Sequence, residues 1–431
     1  MLDVTIVGGG IAGLTAAISL RRAGHCVTIY EKSALNNEIG AAINVQTNAS
    51  RPLVALGMDP VRARFVPARG SKRLKGDTLD LVHSLELGVI ADKYGSPWYF
   101  AHRVDLHQEL KRMATAADGG PPLTVKLRSE VTSYVSDAIW PEYATSILTS
   151  QDPENAAIGL SDGTTITSDL VVVADGIHSA GVEAVLGSSN PAYPAGQDNF
   201  CYRFLLPMEE VLGDQETAQL FDDASGSVRM FLGDGKRIVT YPCRDGHVLN
   251  CIGIFHNEVG ASTKEDWHSP VDKSHLLETF SNFHPSVIAL LNKATEVKQW
   301  PLLYRAPIPM WRKGRMILIG DAAHPMLPHQ GQGGAQAIED GVALGICLSN
   351  MSSSIDVPES NAAQDEAEKI REAASEFVQP VERIPTKPEE FYDFHFDYDI
   401  IEDSCQHMRR TYPGFKLPDG FGSDAVHRPS L

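Results

Sequence analysis

The chain begins with short apolar runs of strand length that alternate with apolar residues at helical spacing. Leu2 to Val7 is a β-rich run, and apolar residues from Leu14 to Ala23 then recur three or four positions apart. Gly24 ends this helical pattern, and Cys26 to Tyr30 returns to the pattern of a buried strand. The start of the chain therefore predicts a strand, a helix and a second strand in succession.

A second unit of this kind lies in the later part of the chain. Met316 to Ile319 is an apolar run ended by Gly320, and prolines and glycines exclude regular structure from Asp321 to Gln332. A helical pattern then opens on Gly333 and Gly334. Because glycines at a helix start let a ligand approach the unpaired N–H groups, the pattern predicts an anion-binding crevice of the kind found in open α/β sheets.

Between these two units the pattern changes. Leu170 to Val173 is a buried strand that runs into a turn at Asp175. From about Gly187 to Trp300, short segments with alternating apolar and polar residues indicate a mostly antiparallel sheet, and Gly70 to Ala91 supplies a hairpin for it. The predicted fold class is therefore α/β, with a second, mostly antiparallel domain.

Length and composition exclude several classes of function. The 431 residues are enough for two domains, and the net charge of −18 argues against nucleic acid or an anionic membrane as a partner. The six cysteines are scattered without metal-ligand spacing, which is typical of reduced thiols. No apolar run is long enough to span a membrane, and the first residues enter a strand directly, so we expect a cytoplasmic protein without a signal peptide.

Three glycines after the first strand indicate dinucleotide binding. Gly8, Gly10 and Gly13 form GxGxxG, in which glycines permit a tight turn, a close pyrophosphate and close packing of helix on strand. Glu31 ends the second strand, where a carboxylate can hold a ribose hydroxyl pair and disfavours a 2′-phosphate. The predicted ligand is therefore FAD or NAD rather than NADP.

The segment GDAAHPMLPHQGQGG, which begins at Gly320 and is followed by AQAIEDG, resembles a flavin motif of the single-component FAD-dependent aromatic hydroxylases of the para-hydroxybenzoate and salicylate hydroxylase type. The PEEFYDF and YDIIEDS segments resemble the fungal salicylate-hydroxylase-like members. The resemblance implies noncovalent FAD, with Asp321 on its ribityl and pyrophosphate side. It places Gly333 and Gly334 beside the flavin ring.

Three further segments carry the same resemblance. The loop from Glu38 to Ile43 is similar to the family's second loop, although Ala42 stands where a glycine is more common. The resemblance gives Arg103 a role at the pyrophosphate and ribityl region, and the alternative for Arg103 is a salt bridge with Asp105. Asp175 lies in a DG motif that the family uses for FAD and NAD(P)H. The arginine that often follows this motif is missing, so the choice between NADH and NADPH stays open.

With this resemblance the domains can be assigned. A Rossmann-like FAD-binding domain comprises residues 1–70, 92–185 and 301–350, and an antiparallel substrate domain comprises residues 71–91 and 186–300. A C-terminal helical or irregular segment comprises residues 351–431, in which 351–368 have the composition of a linker and Ala367 to Val378 form a short helix.

The implied activity is hydroxylation of a phenolic or carboxylated aromatic molecule of secondary metabolism. NADH or NADPH reduces FAD, and O2 then forms a flavin C4a-hydroperoxide that transfers oxygen to the ring. A flavin oxidase or reductase of the same fold and a redox-silent relative are the alternatives, while a halogenase is disfavoured because no WxWxIP segment is present. We expect a monomer or homodimer.

Two residues are candidates for the substrate end of the site. Arg203, in a YRxxxP segment that resembles one lining the family's substrate cavity, could bind a carboxylate or stabilise a phenolate. Its alternative role is a cross-strand ion pair. Tyr241 is a candidate catalytic residue on a neighbouring strand, although packing is an equally good interpretation. His324 and His329 lie in a proline-interrupted loop without carboxylates at ligand spacing, so we expect no metal site.

Overall fold

A computed structural model of the chain describes residues 1–34, 41–135, 156–194, 200–221, 226–256, 271–349, 351 and 388–422. Within these residues we number the strands β1 to β21 and the helices α1 to α12 in chain order. The predicted linker beyond residue 351, the predicted helix from Ala367 to Val378, and Glu38 to Gly40 of the second loop lie outside the described residues.

A mainly parallel six-stranded sheet contains both strand–helix units predicted from the sequence. Its strands are β1 (Asp3–Val7), β2 (Cys26–Glu31), β8 (Thr124–Leu127), β12 (Leu170–Val173), β20 (Arg312–Lys313) and β21 (Met316–Leu318), in the spatial order β20-β21-β12-β1-β2-β8. Only β20 is antiparallel to its neighbour within this sheet. The chain goes from β1 to β2 on one side and later to β12 on the other, so the strand order reverses at β1.

A seven-stranded, mostly antiparallel sheet forms the second layer of the molecule. Its strands are β5 (Gly70–Lys75), β6 (Leu81–Glu86), β14 (Phe200–Pro207), β15 (Ser227–Gly233), β16 (Lys236–Cys243), β17 (Val248–Phe255) and β18 (Lys298–Pro301), in the order β18-β14-β17-β16-β15-β5-β6. The predicted hairpin joins it through β5, which pairs in parallel with β15. The α/β fold class is confirmed, while the exact domain boundaries stay predictions.

The remaining elements are short strands and the helices that cover the sheets. The strands are β3 (Ala42–Val45), β4 (Val66–Pro67), β7 (Tyr99–His102), β9 (Val131–Val135), β10 (Ala156–Leu160), β11 (Thr165–Ser168), β13 (Tyr193–Pro194) and β19 (Leu303–Tyr304). The helices are α1 (Ile11–Arg22), α2 (Thr47–Ala55), α3 (Ile90–Tyr94), α4 (Arg103–Thr115), α5 (Gly181–Leu186), α6 (Met208–Leu212), α7 (Gln215–Ala218), α8 (Lys273–Thr279), α9 (Pro285–Asn292), α10 (Gly333–Leu348), α11 (Pro388–Phe396) and α12 (Ile400–Thr411).

The alternation of side chains in the seven-stranded sheet separates a core from a cavity wall. Along β16, Ile238 packs into an apolar core with residues of α8 and α9, whereas Val239 and Tyr241 face the opposite side. On that opposite side the sheet faces β7, where Phe100 is fully buried. One face of the sheet therefore packs into an apolar core, and the other face can contribute side chains to a site.

The described C-terminal residues are helical and packed against the rest of the molecule. Phe396 of α11 is fully buried, with its ring centroid 5.7 Å from that of Trp98. Arg51 of α2 donates hydrogen bonds to the carbonyl oxygens of Phe396 and Tyr398, at 2.9 and 2.6 Å. Met408 of α12 is buried in the same core as α1 and α10. The described end of the chain therefore belongs to the folded body.

Candidate active site

A cavity of about 960 Å³ lies between the carboxyl ends of the parallel strands and the open face of the seven-stranded sheet. The predicted cofactor residues that line it are Gly10, Ala42, Arg103, Asp321, Gly333 and Gly334. Arg203 and Tyr241 line its other end. The structure therefore brings eight of the twelve predicted site residues together around one space, at the reversal of strand order where open α/β sheets bind ligands.

The three glycines of the first loop have different surroundings. Gly8 has a φ of 101°, and a Cβ there would overlap the carbonyl oxygen of Ala174. A Cβ at Gly13 would overlap the carbonyl oxygen of Gly8, so both positions need glycine for packing. No atom lies within 4 Å of a Cβ built at Gly10, which leaves its backbone open to the cavity. Gly8 and Gly13 shape the loop, and Gly10 is the one that faces ligand space.

Glu31 lies at the end of β2, behind this loop rather than in the cavity lining. Its carboxylate accepts hydrogen bonds from the backbone N–H groups of Gly9 at 2.8 Å and Ser33 at 2.7 Å. These bonds fix the carboxylate beside the glycine loop. Its contact with a ribose stays a prediction.

Asp321 occupies a 3-10 turn directly after β21, where its side chain is open to the cavity. Asp321 is exposed and lines the cavity, and its enclosure by surrounding protein groups raises the pKa of its carboxyl. The positive charges of His324, Arg103 and Arg305 act in the opposite direction. A carboxylate in such surroundings is suited to accept hydrogen bonds from a polyol.

His324 and Asp340 hold the Asp321 turn in place. Asp340 Oδ2 lies 2.6 Å from His324 Nε2 and accepts a hydrogen bond from the Gly320 N–H at 2.7 Å. Burial alone would lower the pKa of His324, but the adjacent Asp340 carboxylate raises it to about 8. The sequence offered His324 only as a poor metal ligand, and its pairing with a residue of α10 was missed.

Arg305 connects two of the loops at the carboxyl ends of the strands. Its guanidinium is buried and donates hydrogen bonds to the carbonyl oxygens of Ala322, at 3.1 Å, and Ile177. Those two carbonyls belong to the loops after β21 and β12. A lone arginine between strands gives no signal in a single sequence, so its role was not predicted.

Asp175 lies beside the cavity rather than in its lining. Its Oδ2 accepts hydrogen bonds from the Tyr134 hydroxyl at 2.7 Å and the Ala180 N–H at 3.2 Å, while its buried Oδ1 has no partner among the described residues. Its neighbours Ala174 and Gly176 do line the cavity. The side chain of Asp175 therefore fixes the turn that brings this backbone to the cavity.

Arg103 begins α4 and faces the cavity, while the neighbouring Asp105 has another partner. The Asp105 carboxylate binds the Arg244 guanidinium through two oxygens, with N–O distances of 3.0 Å to each.

Ala42 begins β3, and its N–H donates to Asn250 Oδ1 of β17 at 3.2 Å. This bond ties the wall of the cofactor end to the seven-stranded sheet.

The two glycines that open α10 differ in the space around them. A Cβ at Gly333 would lie 3.6 Å from Met326 Cγ, which is an ordinary contact. A Cβ at Gly334 would lie 2.6 Å from Ile43 Cδ1, and Ile43 itself lines the cavity. A side chain at Gly334 would therefore push Ile43 out of its place in the cavity wall.

A buried amide network supports the loop before α10. Asn48 Nδ2 donates to Gln332 Oε1 at 3.0 Å and to Glu339 Oε1 at 3.1 Å, and Gln46 Nε2 donates to the Gln330 carbonyl at 3.1 Å. Burial raises the pKa of Glu339 to about 8. These partners lie in or just before α2 and α10, which are far apart in the chain, so no local sequence pattern predicts the network.

Arg203 lies on β14 at the far end of the cavity. Its guanidinium carbon is 4.7 Å from the centre of the Trp300 ring, and its buried Nε has no partner among the described residues. The ion pairs formed within the described ranges do not include Arg203, so the alternative of a cross-strand ion pair has no support there. The guanidinium is held by an aromatic face, which leaves N–H donors for a ligand.

Tyr241 faces the same space from β16. It is 3% exposed, and its ring centroid lies 5.0 Å from that of Phe100. Burial raises the pKa of the Tyr241 phenol, so its hydroxyl stays protonated at neutral pH. Tyr241 therefore combines a packing role with a neutral hydroxyl at the cavity.

The residues of the cofactor end fit a flavin dinucleotide. The open backbone at Gly10 suits a pyrophosphate, the guanidinium of Arg103 supplies positive charge, and Asp321 provides an acceptor for a polyol. Asp321 is the one acidic residue among the described residues of the lining.

In the part of the chain that the structure describes, no cluster of three potential ligands could hold a metal ion, and no helix is long and apolar enough to cross a membrane.

Comparison with known proteins supports the same cofactor. The family model for the FAD binding domain matches residues 1–359. The FAD-dependent monooxygenase cfoG of Aspergillus candidus is 36% identical, covering 97% of this chain and 98% of its own length. The 3-hydroxybenzoate 6-hydroxylase 1 of Aquipseudomonas alcaligenes is 31% identical, covering 79% of each chain. A solved salicylate hydroxylase complex shares the fold, with a TM-score of 0.69 at 21% identity over 94% of this chain and 97% of that one.

The chain therefore belongs to the FAD-dependent monooxygenases of the aromatic hydroxylase type. The resemblance drawn from the motif around Asp321 is confirmed, and FAD is the cofactor.

Proposed function

We propose that the enzyme uses NADH or NADPH and O2 to hydroxylate a small phenolic or carboxylated aromatic molecule held beside Arg203 and Tyr241. The observation that carries this proposal is the Arg203 guanidinium, which faces the cofactor cavity without a carboxylate partner among the described residues. A relative that acts on 3-hydroxybenzoate, a carboxylated phenol, supports the same substrate class.

At the cofactor end, we propose that Glu31 binds the adenosine ribose and that Arg103 and Asp321 contact the pyrophosphate and ribityl regions. Gly333 and Gly334 leave space for the flavin ring at the start of α10. Asp175, through the turn that it fixes, shapes the region where FAD and NAD(P)H meet. FAD supplies the oxygen chemistry when reduced by NAD(P)H, and the protein provides orientation and exclusion of water.

At the substrate end, the reacting ring must be electron-rich, and a guanidinium stabilises a nearby phenolate or carboxylate because it stays charged at any working pH. The Trp300 face holds the Arg203 side chain in one orientation. Tyr241, kept neutral by burial, can donate a hydrogen bond that orients the substrate hydroxyl. The apolar side chains of Val239 and Ile252 line the cavity nearby and keep water from the reacting ring.

The enzyme is proposed to act in the cytoplasm, since all six of its cysteines are free thiols. A monomer or a homodimer stays the expectation for its assembly.

The proposed activity is tested by screening phenolic acids with the FAD-loaded protein. NADH and NADPH consumption is followed for each compound, and products are analysed by mass. A gain of one oxygen atom in a compound that stimulates consumption is the expected result. Consumption that yields only hydrogen peroxide with every compound would instead identify an oxidase of the same fold.

A further inference from the structure

One row of side chains crosses the open face of the seven-stranded sheet and carries an arginine at each end. The strand register places these residues opposite one another in the order Arg73, Met230, Val239, Ile252 and Arg203. Directly opposed residues of neighbouring strands point to the same face, and all five line the cavity. The proposed reaction uses only the Arg203 end of this row.

Arg73 is half-buried in the cavity wall on β5. Within the described ranges it takes part in no hydrogen bond, ion pair or ring contact. A cation that is partly removed from water without a partner costs free energy, and an anionic ligand group would offset that cost. Ser71, on the same face of β5, adds a hydroxyl to this part of the wall.

The distance between the two arginines limits what both could bind. Three strands separate β5 from β14, and four steps of about 4.8 Å place the two backbones roughly 19 Å apart. The side chains between them, Met230, Val239 and Ile252, are apolar. Side chains stand roughly perpendicular to a sheet, and the Arg203 guanidinium lies over Trp300 of β18, on the side away from β5. A single-ring phenolic acid is therefore too short to contact both arginines. The apolar floor suits flat aromatic rings rather than the sugars and phosphates of a nucleotide.

We propose that Arg73 forms a second anion-binding subsite, which recognises the distal acidic group of an elongated aromatic substrate whose reacting ring lies beside Arg203. This inference rests on the proposed function for the position of the reacting ring, but the subsite itself is a binding property that can be measured without turnover. The substrate class is an aromatic molecule of two or more rings with acidic groups at opposite ends.

The test compares two probes that differ only in the distal charge. Stilbene-4,4′-dicarboxylate carries two carboxylates, and in 4′-carbamoylstilbene-4-carboxylate one of them is replaced by a neutral amide. Dissociation constants are measured with the FAD-loaded enzyme from the change in flavin absorbance. We expect the dicarboxylate to bind about tenfold more tightly, which corresponds to about 1.4 kcal/mol, because its distal carboxylate accepts a charge-assisted hydrogen bond.

The variant Arg73→Met should abolish this preference by weakening the dicarboxylate about tenfold while leaving the amide probe unchanged within about twofold. Lys72→Met is the matched control, because it removes a positive charge one position away on the opposite face of β5 and should keep the preference. The thermal midpoint of each variant is recorded, and Arg73→Gln provides a polar, uncharged replacement that should also lose the preference.

Equal affinities of the two probes in the wild type, or an equal loss of both in Arg73→Met, would overturn the subsite. So would a variant that keeps the preference and changes only the dissociation constant of NADPH, which would assign Arg73 to the nicotinamide dinucleotide. A wild-type preference that disappears in Arg73→Met would support the subsite even if the product screen finds no hydroxylation. The absence of hydroxylation would count against the proposed activity alone.

Discussion

The two ends of the cavity are formed by different parts of the protein, loop backbone at one end and sheet side chains at the other. At the cofactor end, three loops follow parallel strands, and the lining includes open backbone and short side chains, as at Gly10 and Gly333. At the substrate end, long side chains such as Arg73, Arg203 and Tyr241 project from one face of a sheet. Backbone that must approach a cofactor tolerates few residue types, whereas side chains on a sheet face can be exchanged without changing the fold. We therefore expect changes at one end to leave the function of the other end largely intact.

The largest effect is expected for Asp321→Ala at the cofactor end. Loss of a charge-assisted hydrogen bond of roughly 1.5–3 kcal/mol should weaken FAD binding by about 10- to 150-fold. Fluorescence titration of the apoprotein with FAD measures this. Asp162→Ala, which removes an aspartate from the exposed turn between β10 and β11, is the control and should bind FAD normally. Wild-type affinity in Asp321→Ala would count against the assignment of Asp321.

A smaller effect is expected when a side chain is added at the glycine pair that begins α10. Gly334→Val should displace Ile43 and reduce FAD affinity or the coupling of oxygen transfer by about tenfold, because overpacking costs about 1–3 kcal/mol. Gly333→Ala has ordinary room for its methyl group and should stay closer to wild type. If Gly334→Val melted the protein but left the folded fraction fully active, the glycine would be a structural requirement of the helix start rather than part of the site.

The third effect is on stability rather than on the binding of FAD or substrate, and it concerns the His324–Asp340 pair that holds the Asp321 turn. The pKa of His324 is raised from 6.5 to about 8, so the stability it contributes is complete below pH 6.5 and is lost as the pH rises through 8. The expected size is about 2 kcal/mol, from 1.36 kcal/mol per pKa unit. His324→Asn should flatten the decline of the free energy of unfolding between pH 6.5 and 8 in urea titrations.

Glu339 provides an internal comparison for that measurement. Its raised pKa of about 8 means that the folded protein holds a proton that the unfolded chain loses near pH 4.5, so stability falls from pH 4.5 up to 8. Glu339→Gln should flatten this whole range, whereas His324→Asn should alter only its upper part. Identical profiles for the two variants would show that the histidine is not the group that titrates above pH 6.5.

The same difference between the two ends explains what the sequence could predict. Gly10 was predicted from GxGxxG, and Asp321 and Gly333 from the segment that resembles the family's flavin motif, because each pattern consists of residues close together in the chain. The structure places all three in the cavity lining. The roles of Arg305 and the His324–Asp340 pair were missed because each depends on partners in other loops or helices. The periodicity of apolar residues gives no signal for a buried arginine whose side chain bridges two turns.

At the substrate end, individual strands could be predicted from the sequence, but the register in which they pair could not. Arg203 and Tyr241 were identified as candidates, yet no sequence pattern places Arg73 in the same row. Its strand, β5, pairs in parallel with β15, which lies more than a hundred residues later in the chain. Such pairing is set by tertiary packing, and a shift of one residue would turn every side chain to the other face.

The most direct test of the proposed division is the amount of product formed per NAD(P)H consumed, measured in wild type and Arg203→Ala after FAD content has been equalised. Arg203→Ala should bind FAD with wild-type affinity, lose product by about tenfold or more, and release hydrogen peroxide in its place, because the substrate ring is no longer activated and held. Arg203→Lys should recover only part of the ratio, since a point charge does not reproduce the planar guanidinium. An unchanged ratio and rate in Arg203→Ala would remove Arg203 from the site and contradict the separation of cofactor and substrate ends proposed for this enzyme.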